Sequence, residues 1–233
     1  PDDIIVMGDI FTRRKPTPTE LLEWDTFLDY CTTKIRGTTT VLRGNHDSED
    51  RTDNGVTVLS LQNGERIEVV TGFTIDDTSR RAYIAHHESQ DKILEYFEKI
   101  PKDYDVFGHF GYKGCFNSLG YTDSDIDPDV FICRRLFLGH IHKRSSIVNK
   151  HGTEIHILGT QYTTNFGEAG KDCFYAIIED DELTFKPVAH GPRHLVIDED
   201  SLEQGVISYV NDTDHSNYIR LLVSGNKKPD ILG

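Results

Sequence analysis

The stretch Thr40-Val41-Leu42-Arg43-Gly44-Asn45-His46-Asp47 decides how this chain is read: an apolar run stops at a glycine, and polar residues able to bind a cation follow at once. The same punctuation recurs. Ile4-Ile5-Val6-Met7 runs into Gly8-Asp9, Asp105-Val106-Phe107 into Gly108-His109, and Leu136-Phe137-Leu138 into Gly139-His140-Ile141-His142. Short apolar runs closed by glycine predict buried strands that end at turns. In open α/β sheets, ligands collect beyond the carboxyl ends of the strands. Asp9, Asn45, His109, His140 and His142 should therefore reach one edge. Their oxygen and imidazole donors suit Mn, Fe, Zn or Mg.

Singly, an Asp or Asn after glycine is ordinary turn chemistry. The ordered series is what points to a metal site. His86 and His87 follow another strand-like run, Ala82-Tyr83-Ile84-Ala85, and compete with His109 for the same role. The Gly-His-Phe context of His109 and the Gly114 beyond it favour His109. His151, His156, His190, His194 and His215 lie outside any ligand pattern and read as surface or core histidines.

These motifs resemble the later motifs of the calcineurin-like metallophosphoesterases. Gly8-Asp9-Ile10-Phe11 with the basic, proline-bearing segment after it is similar to the nuclease branch, which includes the SbcD-type nuclease and phage recombination nuclease subunits. Gly108-His109-Phe110-Gly111-Tyr112-Lys113-Gly114 and Leu158-Gly159-Thr160-Gln161-Tyr162 share that likeness. The resemblance implies an α/β fold, a β-sandwich flanked by helices in four layers (αββα). It implies that Asp9 bridges two divalent ions, Mn in the first place, with Mg, Fe or Zn as substitutes. Asn45, His109 and His140 would complete the second ion's shell, and His142 would serve the first. His46 would lie over the scissile phosphate and Asp47 would orient its imidazole. Arg13, Arg14 and Lys143, beside the ligand-bearing strand ends, would meet the substrate backbone. One departure stands out. The family opens with an Asp-x-His strand, and no Asp-x-His precedes Asp9 here. The expectation is an N-terminally incomplete domain lacking a strand, turn and helix of roughly 30 residues or more, with the first metal site half built.

Composition fits a globular enzyme domain: 233 residues, 36% hydrophobic and 27% charged. No apolar run approaches a membrane span, and no signal peptide is visible. Cys31, Cys115, Cys133 and Cys173 show no paired spacing and read as thiols of a reducing compartment, the bacterial or phage-infected cytoplasm. There is no Gly-x-Ser-x-Gly and no phosphate-binding Walker loop, so serine hydrolase and ATPase chemistry are excluded as this chain's own. The formal charge of −14, from 39 acidic against 25 basic residues, is unusual for a protein that grips nucleic acid by its phosphates.

The chain alternates β and α before turning to strands. Thr17-Pro18-Thr19-Glu20 predicts a helix start with a capping box. Leu21, Trp24, Leu28 and Cys31 mark its buried face. A second helix is predicted over Gln90 to Ile100, stopped by Pro101. Strands follow over 134–138, 153–158, 173–179 and 183–188. Segment 116–130 reads as a long polar loop. The expected division is a metallophosphoesterase core over 1–190 and the start of a capping domain over 191–233, with a short helix over Glu203 to Asn211 and a strand over Tyr218 to Val223.

The resemblance implies a metal-dependent DNA exo/endonuclease subunit of an SbcCD-like recombination and repair complex. Its partners would be DNA and an SbcC-type coiled-coil ABC ATPase, with a homodimer in the full-length protein and no membrane. Two alternatives remain: a stand-alone phosphodiesterase or phosphatase on a small substrate, which the acidic charge favours, and a degenerate, non-catalytic scaffold.

Overall fold

A computed structural model describes residues 2–115, 124–189, 191–198 and 218–222. The expected helix over Glu203 to Asn211, His190, His215 and part of the 116–130 loop lie outside the described residues. The chain forms two compact units, Pro1–Gly159 and Thr160–Gly233.

In the first unit, β1 (Ile4–Val6), β2 (Thr39–Leu42) and β3 (Ile67–Val70) form a three-stranded parallel sheet. Helix α1 (Pro18–Lys34) connects β1 to β2, as a parallel pair requires a crossover. Its start is the expected one. Thr17 accepts from the Glu20 N–H, and the Glu20 carboxylate accepts from the Thr17 N–H at 2.6 Å, with Pro18 opening the first turn. Trp24 and Leu28 pack with Phe11, Val41, Leu59 and Val69 on the outer face of this sheet. Each such fully buried side chain contributes about 1.5–3 kcal/mol.

The second sheet has six strands. They are β4 (Phe73–Asp76), β5 (Arg81–Ile84), β6 (Asp105–Gly108), β7 (Arg135–Leu138), β8 (Ser145–Val148) and β9 (Glu154–Ile157), in the order β4-β5-β6-β7-β9-β8. β5, β6, β7 and β9 run parallel, and the two edge strands are antiparallel. Helix α2 (Gln90–Phe97) links β5 to β6. Its Ile93 and Phe97 pack with Ile84, Val106, Leu136, Leu138 and Ile155 on one face of the sheet. The helix was expected to reach Ile100. It closes earlier because its last N–H groups, those of Lys99 and Ile100, bond three residues back, to Tyr96 and Phe97.

The other face of this sheet carries Tyr83, Phe107, Phe137 and His156, stacked ring on ring at 5.0–5.6 Å between centroids. That face looks towards the first sheet: the Tyr83 phenol lies by Thr40 of β2, and Arg81 meets Asp3 at 2.8 Å. The layers are therefore α1, first sheet, second sheet, α2. At the strand starts, the buried Asp105 carboxylate takes bonds from both Arg134 and Arg135.

The second unit has a hairpin of β10 (Phe174–Glu179) and β11 (Glu182–Pro187), and a parallel pair of β12 (His194–Asp198) and β13 (Tyr218–Leu222). His194 stacks on Tyr218 at 4.7 Å, and its N–H donates to the buried Thr163 hydroxyl. All four cysteines are buried and none forms a disulfide. Among the described residues no helix is long and apolar enough to cross a membrane.

Candidate metal centre

Four of the five expected ligands sit one to three residues past a strand, at the same end of both sheets. Asp9 follows β1, Asn45 follows β2, His109 follows β6 and His140 follows β7. The strands belong to two sheets rather than one open sheet. The join is close: the Arg43 and Ala85 N–H groups continue the ladders beyond the strand ends, and the His86 N–H donates to the Arg43 carbonyl at 2.9 Å. A Cβ on Gly44 would lie 2.2 Å from Asp9 Oδ1 and 2.3 Å from Asp9 N. Only glycine allows that approach.

The geometry brings Asp9, His109 and His140 together, with one ligand atom from each lying within 4.8 Å of the others. His109 Nε2 is 3.3 Å from Asp9 Oδ2. The Asn45 carboxamide fills the middle, 2.9 Å from His140 Nδ1 and 3.3 Å from His109 Nε2. Its NH2, turned inward, donates to both Asp9 oxygens at 3.3 and 3.1 Å; its oxygen, turned inward, completes a ring of acceptors. His109 Nδ1 is 2.5 Å from the Met7 carbonyl. A carbonyl can only accept, so Nδ1 carries a proton; in the charged ring Nε2–H points at Asp9, and in the neutral ring, the form that binds a cation, the Nε2 lone pair faces Asp9 and Asn45. A carboxylate, an amide and two imidazoles converging as acceptors fit a borderline divalent cation.

Burial alone would push the His109 imidazole down, yet the adjacent Asp9 carboxylate holds it above its ordinary value. Asp9, also buried, is held well below the usual carboxylate range by the His109 charge, by that imidazole's hydrogen bond and by the His46 N–H. Asp9 and His140 both have positive φ, 54° and 70°.

The other expected residues fall in different places. His142 is half-buried and stands outside the Asp9–His109–His140 group. The exposed His46 is beside it: its N–H donates to Asp9 Oδ1 at 2.9 Å, and its Nδ1–H donates to the Thr12 carbonyl at 2.8 Å. Asp47, expected to orient that imidazole, does something else. It is buried and accepts from the N–H groups of Asp9, Phe11 and Gly44, at 2.8, 3.2 and 2.8 Å. Burial, then the neighbouring Asp9 charge, raise its carboxyl above the ordinary value. Asp47 fastens the two ligand loops to each other, and the backbone of Thr12 orients His46. Arg14 is half-buried and reaches the cavity beside Asn45 and His140, whereas Arg13 and Lys143 are exposed and do not line it.

Sequence reasoning missed Arg43, which is 2% exposed and donates to the carbonyls of Thr71 and His86 and to the Ser48 hydroxyl. The signal was there: an arginine closing the apolar run inside the ligand motif. It also missed Arg51 and Asp53, polar loop residues with no pattern around them.

A layered sandwich that closes such a donor set over its strand ends defines a metallohydrolase. The family model for calcineurin-like phosphoesterases matches residues 1–225, and the chain belongs to that family. Its chemistry is metal-dependent hydrolysis of phosphoesters. A comparison with curated proteins finds no match.

Proposed function

We propose that this chain is the nuclease subunit of an SbcCD-like complex, hydrolysing DNA phosphodiesters with Mn in the cytoplasm and working with a coiled-coil ABC ATPase. The observation that carries the reading is the convergence of Asp9, Asn45, His109 and His140 with His46 alongside. The nuclease-like surroundings of Asp9, His109 and Thr160 narrow it from phosphoesters in general to DNA.

Asp9, Asn45, His109 and His140 would hold one divalent ion, and Asp9 with His142 would contribute to a second. When bound, a metal pair neutralises charge on the phosphate and makes a water nucleophilic near neutral pH. The chain's own part is positional. With Nδ1 tied to the Thr12 carbonyl, His46 keeps one tautomer and offers Nε2 to the substrate. There a protonated imidazole stabilises charge on the phosphate or hands its proton to the leaving oxygen. Asp47 keeps the Asp9 and Gly44 loops in register so that these groups stay aligned.

The test is digestion of linear DNA with Mn, with and without the ATPase partner. Cleavage absent under both conditions would sink the proposal. His46→Ala is expected to lower cleavage about 10²–10⁴-fold while elemental analysis finds metal content unchanged. Lost metal would instead make His46 a ligand. The excess of acidic residues supports a second reading, a diesterase of small substrates. It wins if short diesters turn over and DNA does not.

A further inference from the structure

A cavity of about 300 Å³ opens beside the ligand cluster, bordered by Asn45 and His140 and lined further by Arg14, Arg51, His86 and His87. Both ring nitrogens of His86 are buried and make no hydrogen bond, and the same is true of His87, which is 6% exposed. Leaving buried polar atoms unpaired is unfavourable. Two adjacent imidazoles in that condition, both among the residues lining one cavity, point to a bound group or water that pairs with them. The closest charged groups lie beyond hydrogen-bond range: Glu88 is 3.8 Å from His86, and Asp53 is 3.8 Å from His87.

His86 does not belong to the metal cluster. Its ring centroid is 5.6 Å from that of His140 and 6.0 Å from that of His109, and it falls outside the group whose donor atoms converge. Outside that group it would touch a group bound beside the metal rather than the metal itself. The position is built. The His86 N–H donates to the Arg43 carbonyl, and the His86 carbonyl accepts from the buried Arg43 guanidinium. Asp53, at φ 56°, accepts from the N–H groups of Glu88 and Ser89 and fastens the loop that follows. The charges on the wall favour an anion. Arg14 and Arg51 contribute two cations, and Glu88, 3.8 Å from Arg14, opposes only one.

We propose that Arg14, Arg51, His86 and His87 form a subsite for a second phosphate of the substrate, next to the one held at the metal centre. The subsite rests on the reading that the substrate is a phosphodiester chain. It makes the enzyme select substrates bearing a neighbouring phosphate over isolated diesters. The donors are guanidinium and imidazole N–H groups, which match phosphate oxygens.

The experiment compares equilibrium binding of two probes by titration calorimetry: dithymidylate, with one diester, and 5′-phosphorylated dithymidylate, with a second phosphate beside it. The wild-type chain is expected to bind the phosphorylated probe about tenfold more tightly, a difference of about 1.4 kcal/mol. His86→Gln and Arg51→Gln should each bring that ratio close to one, while melting temperature and metal content report that the fold and the cluster survive. An unchanged ratio in both variants overturns the subsite. Metal lost from His86→Gln also overturns it, by making His86 a ligand. Wild-type cleavage of DNA with no preference between the probes removes the subsite alone. Failure to cleave DNA with the ratio intact, and lost in the variants, upholds the subsite and removes the nuclease reading.

Discussion

Asp9 and His140 sit at φ 54° and 70°, in a region where side chains other than glycine are uncommon. Such residues cost about 1–3 kcal/mol each and persist where their surroundings over-determine them. Asp47 supplies much of that surrounding. Its single carboxylate holds the N–H groups of Asp9, Phe11 and Gly44, so removing it leaves three donors unpaired in a buried place. Asp47→Ala is therefore expected to destabilise the chain by about 3 kcal/mol or more, read by urea unfolding, and to weaken metal retention with it. A stable Asp47→Ala protein that has lost only activity would return Asp47 to the His46 imidazole. The side chains that converge, Asp9, Asn45, His109 and His140, were legible because each is a distinctive residue placed just after a glycine. The Met7 and Thr12 carbonyls, which set the two imidazole tautomers, were not legible. A backbone carbonyl has no sequence signature, and what it meets is decided by the fold.

Among the elements, β1, β2, β5, β6, β7, β9 and α1 could be read from their patterns. Thr17, Pro18 and Glu20 form a local start signal that needs no tertiary context, and the capping box is there. β3, β4 and β8 were not legible. They are four residues each, with polar or exposed positions among the apolar ones, and pairing with a neighbour is what makes them strands. The β8–β9 pair carries a pH-dependent contribution of its own. Ser146 faces His156 in register, and the His156 imidazole, on Phe137, bonds the Ser146 hydroxyl. Burial pushes His156 below its ordinary 6.5, with Arg135 and Arg144 adding to the effect and Glu154 opposing it. A lowered histidine value means that the unfolded chain takes up the proton first, so this stability is present above about pH 6.5 and declines as pH falls through that value. The decline cannot exceed about 1.4 kcal/mol per pH unit for one group. Urea unfolding at pH 7.5 and 5.5 should show a smaller loss on acidification for His156→Gln than for wild type. Equal losses would mean that His156 takes up its proton alike in the folded and unfolded chain.

Over the whole molecule, a charge of −14 has to be reconciled with the proposed substrate, DNA, which is itself a polyanion. Long-range attraction cannot supply the affinity, because the field of so acidic a chain opposes the approach of DNA. Binding has to come from the few cations next to the cluster. Arg14 is half-buried against the cavity, and Arg13 and Lys143 are exposed on the segments that follow Asp9 and His142. Counterion release then gives a number to check. Each phosphate neutralised on duplex DNA contributes about −0.9 to the slope of log affinity against log salt. Contacts from these residues and Arg51 predict a slope of roughly −2 to −4 for the chain alone, shallow for a DNA-binding protein. Arg14→Gln should flatten it by about 0.9, measured by fluorescence anisotropy over a salt series with catalysis blocked by calcium in place of manganese. A slope as steep as roughly −8 would require a basic surface beyond these residues, and the cavity beside Asn45 and His140 would then be only a small part of how the chain holds DNA. A slope near zero would mean that the chain does not engage the backbone by itself. The burden of binding would then pass to the proposed ATPase partner, and the small-diester reading would gain accordingly.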